Sequence, residues 1–311
     1  MKHLVKKEAK KMGNHFEITV AVEEETMGLE VIEAAYDYIQ TIENQLTTYN
    51  ENSDTARINA AAGIHPVEVQ SETFALIHRC QRISRITQGA FDISYGSVDK
   101  SLWNFDTSMS RLPDAATAKR MVRLINFENI ELDVQHQTVF LREKGMRIGF
   151  GGIGKGYAAE KTREWMRQQG ITAGIVNASG DLTTWGNQPN GKAWTIGIAD
   201  PNQSSTIFSY LEVSDMAVAT SGNYEKFIVV DGRKYSHTID PRTGLPITGI
   251  KSVTIITPNA ELADALTTPV AIMGIDAGLH LINQLQQVEC IIIDDDDRVF
   301  LSEHIHLEDH R

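Results

Sequence analysis

The chain has 311 residues, 41% hydrophobic and 23% charged, a balance that suits a soluble globular protein with a substantial core. Its net charge of −12 argues against broad neutralisation of duplex phosphates, which needs a basic face, so no nucleic-acid partner is expected. Cys80 and Cys290 lie far apart without CxxC or Cys/His metal spacing, which points to two buried free thiols rather than a disulfide framework or a zinc site.

The N-terminal "MKHLVKKEAKKMGNHF" is basic but has neither an apolar h-region nor a small-residue cleavage site, so a cytoplasmic location is expected. No run approaches the roughly 18 apolar residues of a membrane span. Residues 1–11 read as a basic extension. Residues 12–311 read as one compact α+β domain of mixed sheets flanked by helices, since no repeat or low-complexity linker divides them.

"HFEITVAV" alternates as a strand, and "GLEVIEAAYDYIQTIENQLTTYN" places Val31, Ala34, Ala35, Tyr38, Ile42 and Leu46 at helical spacing, with a stop near Tyr49. "SETFALIHRCQRISRITQG" predicts a helix with Ser71 as N-cap, Phe74, Ile77 and Ile83 inward, and Gly89 just past its end. "PDAATAKRMVRLIN" predicts a third helix, and "NIELDV" with "QTVFLRE" a hairpin.

"GFGGIGKGYA", from Gly149 to Ala158, nearly spells two nucleotide signatures. Gly149, Gly154 and Lys155 fit GxxxxGK, but Gly156 stands where a P-loop needs a hydroxyl for magnesium. Gly149, Gly151 and Gly154 fit GxGxxG, but mid-chain, with Asp181 too distant and set in the turn "NASGD". What the two formulas share is glycine backbone ahead of a helix, where N–H groups approach an anion, with Lys155 as a point charge beside it.

Downstream, "FIVVDGRKYSHTI" predicts a hairpin turned by Asp231 and Gly232, followed by the loop "DPRTGLP". "SVTIITPNAELADALTTPVAIMG" predicts a strand, then a helix from near Asn259. On that helix Asp264 and Thr268 share a face, an oxygen pair that suits a hard cation such as magnesium. "DDDDRVFL" reads as a solvated turn between two strands. Trp103, Trp165, Trp185 and Trp194 read as core or rim packing.

The order of these segments resembles the ApbE family of flavin transferases. The resemblance rests on "MGNHFEITV", "LTTYNENSDTARIN", "GAFDISYGSVDKSLW", "GGIGKGYAAEK", "GDLTTWG", "AVATSGNYEKF", "YSHTIDPRTGLP" and "SVTIITPNAELADALTT". It implies an ApbE-like fold and transfer of the FMN part of FAD onto a Thr or Ser of an acceptor protein, with AMP released and Mg2+ required. FAD is then the substrate. The acceptor is expected to be a cytoplasmic protein or a subunit of a membrane redox complex modified from the inside.

The same resemblance implies FAD contacts at Gly151, Gly152, Lys155, Ser236, His237, Asp240, Arg242, Thr243 and Gly244. Thr220, Ser221 and Gly222, in a "TSGNY" turn, lie along the ligand, and Tyr49 and Asn50 lie by the isoalloxazine. Asp92 and Asp181 join the ligand-side residues. The metal ligands implied are Asp264, Thr268 and a backbone carbonyl between Gly152 and Gly154, assigned to Gly154. His237 is the candidate for proton handling and Lys155 for charge stabilisation. Bland readings stand beside these: Asp92 as a turn cap, His237 as an orienting group, and Arg242 as a brace paired with Asp240.

The chain departs from the family pattern at Gly149, where an acid is common, at Ser179, where a glycine is common, and at Pro269, a helix breaker directly after Thr268. Two other functions fit the same residues. With water as nucleophile the site would be a metal-dependent FAD diphosphatase, and without chemistry it would be a flavin carrier.

Overall fold

In a computed structural model, residues 2–102, 111–200, 203–222 and 227–305 are described. In chain order the elements begin with β1 (His3–Lys11), β2 (Asn14–Val22), α1 (Glu25–Leu46), α2 (Asp54–Ala60), β3 (Val67–Glu68) and α3 (Ser71–Ile86). They continue with α4 (Ala115–Met121), β4 (Ile130–Asp133), β5 (Thr138–Leu141), α5 (Gly154–Gln168), β6 (Gly174–Ala178) and β7 (Asp181–Trp185). Then come β8 (Trp194–Asp200), β9 (Gln203–Val213), β10 (Ala217–Gly222), β11 (Phe227–Val230), β12 (Arg233–Ser236) and β13 (Ile250–Thr257). The chain closes with α6 (Ala260–Met273), α7 (Ile275–Ile282), β14 (Glu289–Asp294) and β15 (Val299–Leu301).

The eight-stranded main sheet runs β1-β2-β6-β7-β10-β13-β14-β15. Neighbouring strands in it are antiparallel. Residues His3–Lys11, expected as an extension, pair with β2 along their whole length and form an edge strand of this sheet. Lys6, Lys7 and Lys10 are exposed on this edge, a place where charge discourages further strand pairing.

Strand alternation divides the core between two faces. Val253, Ile255, Cys290 and Ile292 point to the helices, while Ile256, Ile291 and Ile293 point to the opposite layer, where the β8–β9 hairpin packs Trp194, Ile196 and Ile198. Both cysteines are buried free thiols.

The predicted helices form, with local shifts. In α1 the buried stripe is Ile32, Ala35, Tyr36, Ile39, Ile42 and Leu46; Ala34 is exposed, and the helix ends at Leu46 rather than near Tyr49. Ala34 falls on the solvent side of the helix by its angular position, since Ala35, no larger, is buried. Ser71 is the first helical residue of α3, not its cap, and Gly89 follows with φ of 77°. The β4–β5 hairpin gains β3 as a third strand. Both predicted late hairpins, β11–β12 and β14–β15, are present. Trp185 and Trp194 are buried, Trp165 stacks on Tyr38 with ring centres 5.8 Å apart, and Trp103 lies outside the described residues.

α6 positions the site and is buried on nearly every side. Its N-terminus is held from three directions. Asn259 caps it by accepting from the Leu262 N–H at 2.8 Å, and the Glu160 carboxylate on α5 accepts from the Ala260 N–H at 2.9 Å. From α3, Arg79 makes a forked pair to Glu261, Nε to Oε1 at 2.6 Å and Nη2 to Oε2 at 2.9 Å. Replacing Arg79 with Met keeps the stem packing but leaves the Glu261 carboxylate buried without its partner. Urea unfolding at pH 7 should show a loss of about 1–3 kcal/mol. Pro269 neither ends α6 nor stops it, since the helix continues to Met273.

Candidate active site

Two recesses meet at the glycine turn ahead of α5. One, about 400 Å³, is lined by Phe91, Asp92, Tyr95, His237, Thr268 and Pro269 among others. The other, about 690 Å³, is lined by Asn14, Thr47, Tyr49, Arg147 and Lys155 among others. Gly96, Gly149 and Gly151 belong to both, so the turn is the waist of one two-armed cleft. A bent ligand with two bulky ends and a narrow middle suits this shape.

The turn is fixed by Gly149 N–H to the Ile93 carbonyl at 2.9 Å and Gly154 N–H to the Phe150 carbonyl at 2.7 Å. Gly149, Gly151, Gly152 and Gly154 do not need the left-handed backbone region. A Cβ at Gly149 or Gly151 would meet nothing within 4 Å, because it would project into the cleft. Their lack of a side chain thus leaves the backbone open to the cleft rather than serving an unusual φ.

Behind the turn lies a buried charge cluster. The Lys155 ammonium is hydrogen-bonded to Asp181 Oδ2 and lies 3.5 Å from Asp264 Oδ1, while Asp264 Oδ2 accepts from the Gly156 N–H at 2.9 Å. Burial opposes the Lys155 charge, but Asp264 and Asp181 outweigh it and raise its pKa. Two carboxylates share this one lysine. Burial, then the neighbouring Asp264 charge, pushes Asp181 up to about 7. The cluster is short of positive charge, which fits a site for a hard cation.

Thr268 stands one helical turn from Asp264 and reaches the cleft wall. Lys155, expected as a point charge beside an anion, has its charge engaged by carboxylates. Asp181, expected in a turn, is the buried first residue of β7; Ser179 and Gly180, with φ of 55° and 96°, make the turn. The lysine link across a strand and two helices leaves no spacing signal in sequence.

The other expected residues divide into cleft and frame. Tyr49, fully solvated at 98% exposure, lines the larger arm; Asn50 instead accepts from the Asn52 N–H at 3.0 Å in its own loop. Asp92 lines the smaller arm and also caps the turn at Ile93–Ser97, accepting from Ser94 N–H at 2.8 Å and Phe127 N–H at 2.8 Å. Burial raises its pKa against those bonds.

His237 lines the cleft together with Thr238, Ile239 and Pro241, of which the last three are not evident from residue type. Ser236 Oγ accepts from the Thr238 N–H at 3.0 Å. Asp240 and Arg242 form a forked pair at 2.9 Å, and the Asp240 carbonyl accepts from the N–H groups of Thr243 and Gly244. Thr220, Ser221 and Gly222 end β10 instead of forming a turn, with Thr220 bonded to Thr254 across the strand pair at 2.9 Å. Asn223 and Tyr224 of the quoted segment lie outside the described residues. Ser236, Asp240, Arg242, Thr243, Gly244, Thr220, Ser221 and Gly222 line neither arm.

The ApbE family model matches residues 12–292. The chain belongs to the ApbE family. It is 31% identical over 269 residues to a Klebsiella pneumoniae protein named FAD:protein FMN transferase, covering 86% of this chain and 83% of that one. It is 30% identical over 283 residues to a Treponema pallidum protein of the same name, covering 86% and 78%. Among solved structures, the ApbE protein of Thermotoga maritima superposes with a TM-score of 0.85 at 28% identity over 97% of both chains. The flavin transferase ApbE of Vibrio cholerae gives 0.82 at 25% identity, over 97% of this chain and 98% of that one. The ApbE-like α+β architecture expected from the sequence is thus the observed one. Among the described residues no helix is long and apolar enough to cross a membrane.

Proposed function

We propose that this chain is an FAD:protein FMN transferase that moves FMN from FAD to a Thr or Ser hydroxyl of an acceptor protein with the help of Mg2+. The observation that carries the reading is the buried, cation-short cluster of Asp181, Lys155 and Asp264 behind a glycine waist that joins two ligand-sized arms. The names of the relatives support the reaction class.

In this reading the isoalloxazine occupies the arm with Tyr49, and the adenosine the arm with Asp92 and His237. The diphosphate crosses the waist, where missing side chains let backbone and phosphate approach. Asp264 and Thr268 would hold Mg2+, with a third oxygen from the glycine turn. Gly154 opens α5, so its carbonyl points into the helical ladder; the carbonyl of Gly152, ahead of the helix, is the better choice. When bound, the ion would offset diphosphate charge as a Lewis acid.

The acceptor oxygen attacks the phosphorus on the riboflavin side. A phosphoester P–O bond forms, the P–O bond to the bridging oxygen breaks, and AMP leaves with that oxygen. His237 would take the hydroxyl proton, a role supported by its position on the cleft wall. Lys155 holds positive charge at the larger arm and anchors Asp181 and Asp264.

Incubation with FAD, Mg2+ and a candidate acceptor, read by mass spectrometry, tests the proposal. The expected products are an acceptor heavier by one FMN less one water, as a phosphoester requires, and an equal amount of AMP. Free FMN with AMP and no adduct would replace transfer by hydrolysis. Bound FAD with no AMP would make the chain a carrier.

A further inference from the structure

Charge is unevenly distributed over this acidic chain. Beside the cleft lies a surface depression of about 750 Å³ whose charged wall is Lys119, Arg120, Arg123 and Arg242, with no carboxylate among its described lining residues. Lys119 and Arg120 come from the last turn of α4, Arg123 follows directly, and all three are exposed. Arg242 is held in place by its fork to Asp240.

The acids nearest these cations stand outside the lining and keep their charge: Asp240 pairs with Arg242, Asp114 neighbours Arg120 and Asp99 neighbours Arg123, so they offset the cluster in part while the cations alone face the depression. Asp114 accepts from the N–H and hydroxyl of Thr117 at 2.9 Å, and Asp99 accepts from the N–H of Ser101 at 3.0 Å and from its hydroxyl. A concentration of cations on a molecule of net charge −12 selects for an anionic partner and excludes most others by repulsion.

Position says which partner. Pro241 belongs both to this depression and to the cleft arm that holds His237 and Thr268. FAD has the two arms to fill; the second reactant is a protein hydroxyl that must arrive from outside and reach the same wall. We propose that the depression docks an acidic segment of the acceptor protein, flanking the hydroxyl to be modified. The inference rests on the transferase reading above. Asp and Glu side chains would pair with Lys119, Arg120 and Arg123 as a solvated, salt-sensitive contact that speeds encounter and sets the direction of approach.

The test uses the full chain and a triple variant, Lys119→Glu with Arg120→Glu and Arg123→Glu, whose positions line neither cleft arm. The probes are a fluorescein-labelled peptide of Asp, Glu, Ser and Gly and its counterpart with Asn and Gln, read by anisotropy at low and high salt. FAD binding is followed in the same samples by flavin fluorescence. The acidic peptide should bind at least about tenfold more tightly than the amide peptide, weaken with salt, and lose that preference in the triple variant, with FAD binding unchanged. Equal binding of the two peptides, or an undiminished preference in the variant, would overturn the proposal. So would tighter binding of pyrophosphate or of phosphatidylserine vesicles than of the acidic peptide, since the depression would then serve a small anion or a membrane. Failure of the unmodified chain to bind FAD would instead remove the transferase reading, and the docking proposal with it.

Discussion

Asp264→Asn should lower AMP release from FAD by about 10³-fold, in the range seen when a key electrostatic stabiliser is lost, while leaving the fold intact. Asn keeps the volume and the oxygen that accepts from the Gly156 N–H at 2.9 Å, so the contact between α5 and α6 survives. What changes is charge. Lys155 then faces only Asp181, the cluster is no longer short of a cation, and the hold on Mg2+ is lost. Rates measured across a magnesium titration, beside thermal melts of both proteins, check this. Thr268→Val should act in the same direction, by about 10- to 100-fold. Activity of Asp264→Asn within tenfold of the original chain would remove the metal assignment.

The second large effect is expected at Gly156. A Cβ there would lie 2.1 Å from the Ala260 carbonyl oxygen and 2.6 Å from the Asp264 Cβ. Neither atom can rotate away, because both are fixed to the first turns of α6, itself pinned by Glu160 and Arg79. Helix propensity alone favours Gly156→Ala by about 1 kcal/mol. Overpacking of about 1–3 kcal/mol opposes it, and forcing the helices apart stretches the bond from Gly156 N–H to Asp264. The variant should therefore melt at a lower temperature and lose at least about 100-fold in AMP release, since a misplaced catalytic group carries a penalty of that order. A melting temperature equal to or above that of the original chain would show that the helices can part without cost.

The two variants separate what Asp264 does by charge from what it does by position. Asn at 264 changes the first and keeps the second; Ala at 156 does the reverse. Lost activity in both, with lost stability only in Gly156→Ala, is the pattern expected of a metal ligand held by tight helix packing.

Much of this protein was legible along the chain. Periodicity located the long helices and the hairpins, because a repeat of about 3.6 or 2 residues is a local property that burial of one face imposes. The spacing of Asp264 and Thr268 put both on one side of α6, and the family resemblance located the glycine turn and His237. The sequence could not decide the partners of Lys155: Asp181 and Asp264 come to it from β7 and α6, and only the packing of α5 between them sets its charge environment. Nor could it separate ligand-facing residues from their supports in "SHTIDPRTG", where His237 faces the cleft and Asp240 with Arg242 close a turn on themselves. Residues 3–11 carried too many lysines to announce a strand, yet pairing with β2 supplies their backbone bonds while the charges stay in water. Local chemistry fixed which elements form and which residue types they offer; the meeting of distant segments, driven by burial and close packing, decided which of those residues share a site.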